Sequence, residues 1–210
     1  MIVTLVATLG IIGLLNENSN SITGRYVSTS VNILPGQLSP CNFTLHKGWN
    51  MVSFLCLGTW VPRDTVLESV NHTYGKIFHY SATDVSDPWK SYNPNLPNWT
   101  IQQLTYMDRY TGYWIYMVSD DDYFHNGLEK ASTINLYTGW NLVGYPNTNA
   151  SSINDSLNEL SYTKVMTYDT LGNIMLVYSP SGSSNTLNEL NAYKSYWINS
   201  TSNQSWNIIP

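Results

Sequence analysis

Charge is what this chain has least of. Lys, Arg, Asp and Glu make up 11% of the 210 residues, under half of the usual share of about 25%. Only 9 residues are Lys or Arg and the net charge is −5. Such a surface offers no electrostatic footprint for nucleic acid, and none is expected as a partner. Uncharged Asn, Ser, Thr and Tyr must solvate the exterior instead. That suits a protein bathed in acid, where protonated carboxylates no longer help, or one covered by sugar.

Chemistry-bearing motifs are also missing. No nucleophile elbow, phosphate-binding glycine loop or HExxH occurs, and nothing selects a carboxylate pair for glycoside hydrolysis. His46, His72, His79 and His125 show no ligand spacing with one another or with the cysteines, so no metal site is expected. Asp120, Asp121 and Asp122 lack the spaced pattern of a calcium loop and read as a solvated linker. The chain is therefore not read as an enzyme, and no cofactor is expected beyond N-linked glycans.

Cys41 and Cys56 are the only two cysteines. If residues 42–45 and 51–55 form a hairpin, both thiols fall at its open end, where a cross-strand disulfide is feasible. The alternative is two buried thiols. Other features point outside the cell and favour the disulfide.

A long membrane-spanning run is absent as well. Residues 1–15 are almost wholly apolar, but a span needs about 20 residues. No Lys or Arg precedes Arg25, as a signal peptide would want. The pattern is that of a strand: Val3, Leu5, Ala7, Leu9 and Ile11 share one face, with Thr4, Thr8 and Gly10 on the other. Residues 16–24 form a polar hinge without apolar periodicity. A greasy strand on a tether either folds back on its own domain or completes the sheet of a neighbour; the second reading is preferred.

What the chain has in plenty is repetition. Leu45-His46-Lys47-Gly48-Trp49-Asn50-Met51-Val52 returns as Leu136-Tyr137-Thr138-Gly139-Trp140-Asn141-Leu142-Val143. Further blocks follow in the same order: Lys76-Ile77-Phe78-His79-Tyr80 with Lys164-Val165-Met166-Thr167-Tyr168, and Tyr113-Trp114-Ile115 with Tyr196-Trp197-Ile198. The period of roughly 85–90 residues is too long for a thin solenoid. Alternating runs predict a mainly β, sandwich-like (Ig- or pilin-like) fold made of two duplicated modules. The expected organisation is a strand and tether over 1–24, a first module over 25–118, a connection over 119–133 and a second module over 134–210. Within the first, residues 25–34 alternate as a strand and Pro35-Gly36 ends it as a turn. Four capping boxes, beginning at Thr65, Thr100, Ser156 and Thr186, predict four short helices.

Trp49, Trp114, Trp140 and Trp197 recur in both copies and are assigned to core packing. Trp60, Trp89, Trp99 and Trp206 stand outside that pairing and are the candidates for sugar stacking. Acceptor sequons occur at Asn42, Asn71, Asn98, Asn149, Asn154, Asn199 and Asn203. About five would arise by chance in so polar a composition, so their placement matters more than their number. Most fall in expected turns, Asn199 and Asn203 in an expected polar tail, and Asn42 in an expected strand.

The Gly-Trp-Asn phrases and Gly112-Tyr113-Trp114-Ile115 resemble a repeat of secreted surface proteins of archaea and some bacteria. The second copy departs from it, with Ser195 where the first has Gly112, which would weaken the turn before the last strand. The N-terminal arrangement resembles the archaeal thread filaments, glycosylated pili whose subunits join by donor-strand complementation in the manner of type I pilins. The resemblance implies an extracellular, cell-surface filament of identical subunits, with residues 1–15 as the donor strand and no stable membrane span. Alternatives are a non-filamentous S-layer-like surface glycoprotein and a sugar-binding adhesin module. Intact-mass measurement of the protein from its native source is expected to exceed the bare polypeptide by several glycans; an unmodified mass would refute the glycoprotein reading.

Overall fold

A computed structural model describes residues 40–209, apart from Asn98 and Glu129. The expected donor positions Val3, Leu5, Ala7, Leu9 and Ile11, the tether, the strand over 25–34 and the sequon at Asn98 lie outside the described residues. The rest belongs to one compact unit.

The repeated phrase is a corner in a long strand. β1 (Cys41–Leu45) and β2 (Gly48–Val52) are two arms separated by His46 and Lys47. They run antiparallel to β8 (Asp121–His125) and β7 (Tyr113–Met117) respectively. Gly48 turns the corner with φ of 95°, in the left-handed region where a side chain is strained. The buried amide of Asn50 then closes it. Its Oδ1 accepts from the His46 backbone N–H at 3.0 Å, and its Nδ2 donates to the His46 carbonyl at 2.6 Å and the Gly48 carbonyl at 3.1 Å. The second copy repeats the device in β9 (Ser132–Leu136) and β10 (Gly139–Gly144). Gly139 has φ of 98°, and Asn141 bonds Tyr137 at 2.8 and 2.7 Å and Gly139 at 2.9 Å.

The remaining strands and α-helices match one for one, while a 3-10 turn at Glu68–Val70 belongs to the first module alone among the described residues. The first module adds β3 (Val61–Pro62), α1 (Arg63–Val66), β4 (Tyr74–Tyr80), β5 (Trp89–Tyr92) and β6 (Tyr106–Met107). The second adds β11 (Ser151–Ser152), α2 (Ile153–Ser156), β12 (Tyr162–Asp169), β13 (Ile174–Tyr178), β14 (Glu189–Leu190), β15 (Ser195–Ser200) and β16 (Gln204–Ile208). Four-stranded sheets of order β2-β7-β4-β5 and β10-β15-β12-β13 correspond, as do the pairs β1-β8 and β9-β16, and β3-β6 and β11-β14. The fold is mainly β, and the duplication read from the sequence is a duplication of topology.

Among the described residues each module has its own core between the four-stranded sheet and the bent arms. In the first, Tyr113, Ile115 and Met117 of β7 meet Leu45 of β1 and Tyr123 of β8. In the second, Tyr196 and Ile198 of β15 meet Leu136 and Trp206. A buried tyrosine braces the same turn in both: the Asp108 N–H donates to Tyr113 Oη at 3.0 Å, and the Asn191 N–H to Tyr196 Oη at 2.6 Å.

Several expectations change. Residues 42–45 and 51–55 do not pair as a hairpin, because β1 and β2 are consecutive arms. The disulfide forms all the same, with Cα atoms 5.6 Å apart, because Cys56 follows β2 back across the core toward Cys41. The second module has buried Ser132 and Asn147 at the matching places. Residues 119–133 are not a connection: they contain β8, which completes the first module, and the start of β9. Neither Thr100 nor Thr186 opens a helix; residues 100–103 and 186–189 are crossover segments that hold edge strands, with Gln102 Oε1 accepting from the Asn93 N–H at 2.5 Å and Thr186 donating its N–H to Val177 at 2.9 Å. The helices lie near the other two boxes: Thr65 falls within α1 and a 3-10 turn follows at Glu68–Val70, while α2 comes one turn earlier than the Ser156 box implies. Ser152, not Ser156, caps α2, accepting from the Asp155 N–H at 3.1 Å, while α1 follows Pro62 without a side-chain cap.

The two modules meet about an approximate dyad. Val52 bridges Lys194 and Val143 bridges Thr111, which are equivalent pairs. The Ser53 N–H donates to the Tyr193 carbonyl and the Gly144 N–H to the Tyr110 carbonyl, both at 2.9 Å. At this seam each serine faces a glycine. A Cβ on Gly112 would lie 2.8 Å from the Ser195 Cβ, and one on Gly144 2.9 Å from the Ser53 Cβ. Ser195 therefore does not weaken a turn; it is fully buried and fills the space that Gly112 leaves. Gly112→Ser is expected to destabilise the fold by about 1–3 kcal/mol through overpacking. The swapped pair Gly112→Ser with Ser195→Gly should recover part of that loss, the remainder reflecting Leu142 beside Gly112. Chemical denaturation of the three variants checks this; equal stability of the single and double variants would remove the seam argument.

Candidate functional site: an aromatic cleft beside the module seam

Alternation decides which aromatic residues are core. Along β7, Tyr113, Ile115 and Met117 are buried inward, so Trp114 and Tyr116 face out of the sheet. Register then sets Trp114 between Met51 of β2 and Phe78 of β4. On β15, Trp197 lies in the same way between Leu142 and Met166. The four repeated tryptophans are thus not core residues, contrary to their expected role: they line the outer faces of the two four-stranded sheets, and Trp49 is 37% exposed.

These faces touch across the seam. Trp114 packs on Tyr168 with ring centroids 5.3 Å apart, and Trp197 on Tyr80 at 5.1 Å and Trp89 at 5.8 Å. Within the first sheet, Trp49 meets Phe78, Trp114 and Tyr116 at 5.8, 6.2 and 5.3 Å. Between the first sheet and the β12–β13 hairpin lies an open cleft of about 580 Å³, lined by Trp49, Phe78, Trp89, Trp114, Tyr168 and Met175. Its size falls in the range of about 300–1,000 Å³ typical of ligand sites. The six side chains include no carboxylate, imidazole, amine or thiol. Such a surface is suited to apolar contact and stacking, with the Tyr168 hydroxyl as its one ionisable side-chain group.

Phe78, Tyr168 and Met175 were not singled out from the sequence. For Phe78 and Tyr168 the signal was the outward half of the alternation in residues 74–80 and 162–169, which only register and the seam turn into a site; Met175 joins them from β13. Of the unpaired tryptophans, Trp89 lines the cleft and is 43% exposed, whereas Trp206 is core and donates Nε1–H to the Ser156 carbonyl at 2.9 Å. Trp60 and Trp99 are exposed away from the cleft lining.

The other expected residues are scattered. Asn42, Asn71, Asn149, Asn154 and Asn203 are exposed. Asn42 points outward from β1, as its strand setting allows. Asn154 accepts from Tyr178 Oη at 2.6 Å and Asn203 from the Thr138 N–H at 2.9 Å, so both amides already serve the fold. Residues 199–208 are not a polar tail: Asn199 is half-buried in β15 between Trp140 and Lys164. The aspartates are not a free linker either. Asp120 accepts from the Lys47 N–H, Asp121 from Thr73 Oγ1 and Asp122 from Thr44 Oγ1, at 2.7, 2.6 and 2.7 Å.

Burial pushes the His79 imidazole below its ordinary range, opposed by Asp108. Backbone and imidazole contacts from Lys47 and His46 hold Asp120 below the usual carboxylate range. Among the described residues no group of three or more His, Cys, Asp or Glu side chains could hold a metal ion, and no helix is long and apolar enough to cross a membrane. The disulfide fits an oxidising compartment.

Aromatic contact across the seam is expected to couple the modules. A double-mutant cycle on Trp114→Ala and Tyr168→Ala should give a coupling of about 0.5–1.5 kcal/mol in equilibrium unfolding, and additive effects would mean that the rings contribute only area. In comparisons with known proteins, no family model, no curated protein and no solved structure matches the chain.

Proposed function

We propose that the chain is the structural subunit of an extracellular, glycosylated filament, joined head to tail when residues 1–15 of one copy add a strand to the next. What carries the reading is the sequence pattern of the first 24 residues: an uncharged apolar segment with strand periodicity over 1–15, followed by a polar tether over 16–24. Among the described residues two cores are formed within 41–208. The Cys41–Cys56 disulfide, the sparse charge and five exposed sequons agree with life outside the cell.

The mechanism is physical rather than catalytic. An inserted strand buries about five apolar side chains at about 1.5–3 kcal/mol each, on the order of 10 kcal/mol before ordering costs. A contact between unlike surfaces does not close on itself and propagates as a fibre. Leu5→Asp or Leu9→Asp is expected to abolish filaments in negative-stain electron microscopy while the disulfide-bonded unit stays folded. The chain lacking residues 1–24 should give discrete particles. Normal filaments from these variants would overturn the reading, and particles from the full-length chain would favour a non-filamentous surface glycoprotein.

The aromatic cleft supports one second reading, a sugar-binding adhesin module, since planar indole faces stack on pyranose rings. It requires glycan binding that Trp89→Ala abolishes.

A further inference from the structure

We infer that the aromatic cleft is the seat for residues 1–15 of a second copy of the chain; the inference rests on the filament reading and names its acceptor site. Chemical match is the first reason. The cleft is lined by Trp49, Phe78, Trp89, Trp114, Tyr168 and Met175, without a charged side chain. A sugar site carries several converging polar groups that fix orientation, and this lining has few to offer. Residues 1–15 carry no charge, and five apolar side chains share one face of the strand pattern. They need burial and no polar partner.

Backbone groups are the second reason, because an added strand must also pair its N–H and C=O groups. Trp89 and Met175 are on β5 and β13, the outermost strands of the two four-stranded sheets among the described residues. At Ser91 and Val177 the outer edge already meets the crossover segments: Leu104 donates its N–H to Ser91 at 3.2 Å, and Thr186 and Leu187 donate theirs to Val177 at 2.9 and 3.1 Å. Backbone groups two residues along a strand point the same way. Trp89 and Met175 therefore turn theirs to the same outer edges, beside the cleft and one step short of those hydrogen bonds.

Reach is the third. The tether over residues 16–24 extends to about 30 Å, enough for the segment to enter an adjoining copy.

The test is disulfide trapping between full-length chains. The described residues include no free cysteine, and the sequence has none beyond Cys41 and Cys56, so an introduced thiol is unique. One chain carries Met175→Cys. Its partner, distinguished by mass, carries cysteine at Leu5, Ala7 or Leu9, or at Thr4 or Thr8 as controls. Mild oxidation of the mixture is expected to give a heterodimer at least several-fold more abundant for the odd positions than for the even ones. Met175→Glu in an otherwise native chain should block filaments when all copies carry it. Filaments without odd-position trapping, and insensitive to Met175→Glu, would overturn the cleft as the seat and leave the filament reading standing. Discrete particles without trapping would overturn both. Equal trapping at odd and even positions would overturn the strand geometry.

Discussion

Two buried amides hold this fold in shape. Asn50 and Asn141 each use their donor and acceptor on the backbone of the turn two and four residues before them, replacing hydrogen bonds that a bent strand cannot make with its partner. Without that closure, β1 and β2 would have to continue straight, and the four-stranded sheet would lose the arm that covers its inner face. The glycine at φ near 95° beside each amide supplies the backbone path. The cores, the disulfide and the position of β8 all follow from a strand that bends at this point.

The duplicated modules are alike in topology and unlike in how they close. The first links Cys41 to Cys56; the second buries Ser132 and Asn147 there, and Asn147 Nδ2 donates to the Ile209 carbonyl at 3.1 Å. At the seam the two copies have become complementary. Where one carries a glycine the other carries a serine, so the dyad is only approximate and each side chain fills the gap opposite. A pair of identical modules could not do this at both places, since two serines would overlap and two glycines would leave voids.

The outward aromatic faces gain a purpose from the same seam. A single sheet covered with indole and phenol rings would be an exposed apolar patch of the kind that marks an interaction surface. Two such sheets set against each other bury part of that surface and leave a cleft where the β12–β13 hairpin stands off the first sheet. It is this combination of aromatic rings and an uncharged lining that motivates the proposal of an uncharged apolar chain as the occupant.

The sequence alone determined the duplication and the mainly β class, and it favoured a disulfide between the only two cysteines. Each is a local or periodic signal: matched blocks in order, alternation at period two, and two thiols with one partner each. It did not reveal that residues 119–133 close the first module, that Ser152 rather than Ser156 caps α2, or that the repeated tryptophans face outward. Those facts depend on register. A tryptophan flanked by apolar residues reads the same on either face of a strand, and only the pairing with Met51, Phe78, Leu142 and Met166 assigns Trp114 and Trp197 to the outer one. The cleft belongs wholly to tertiary structure, because its six residues come from six strands and no linear pattern joins them.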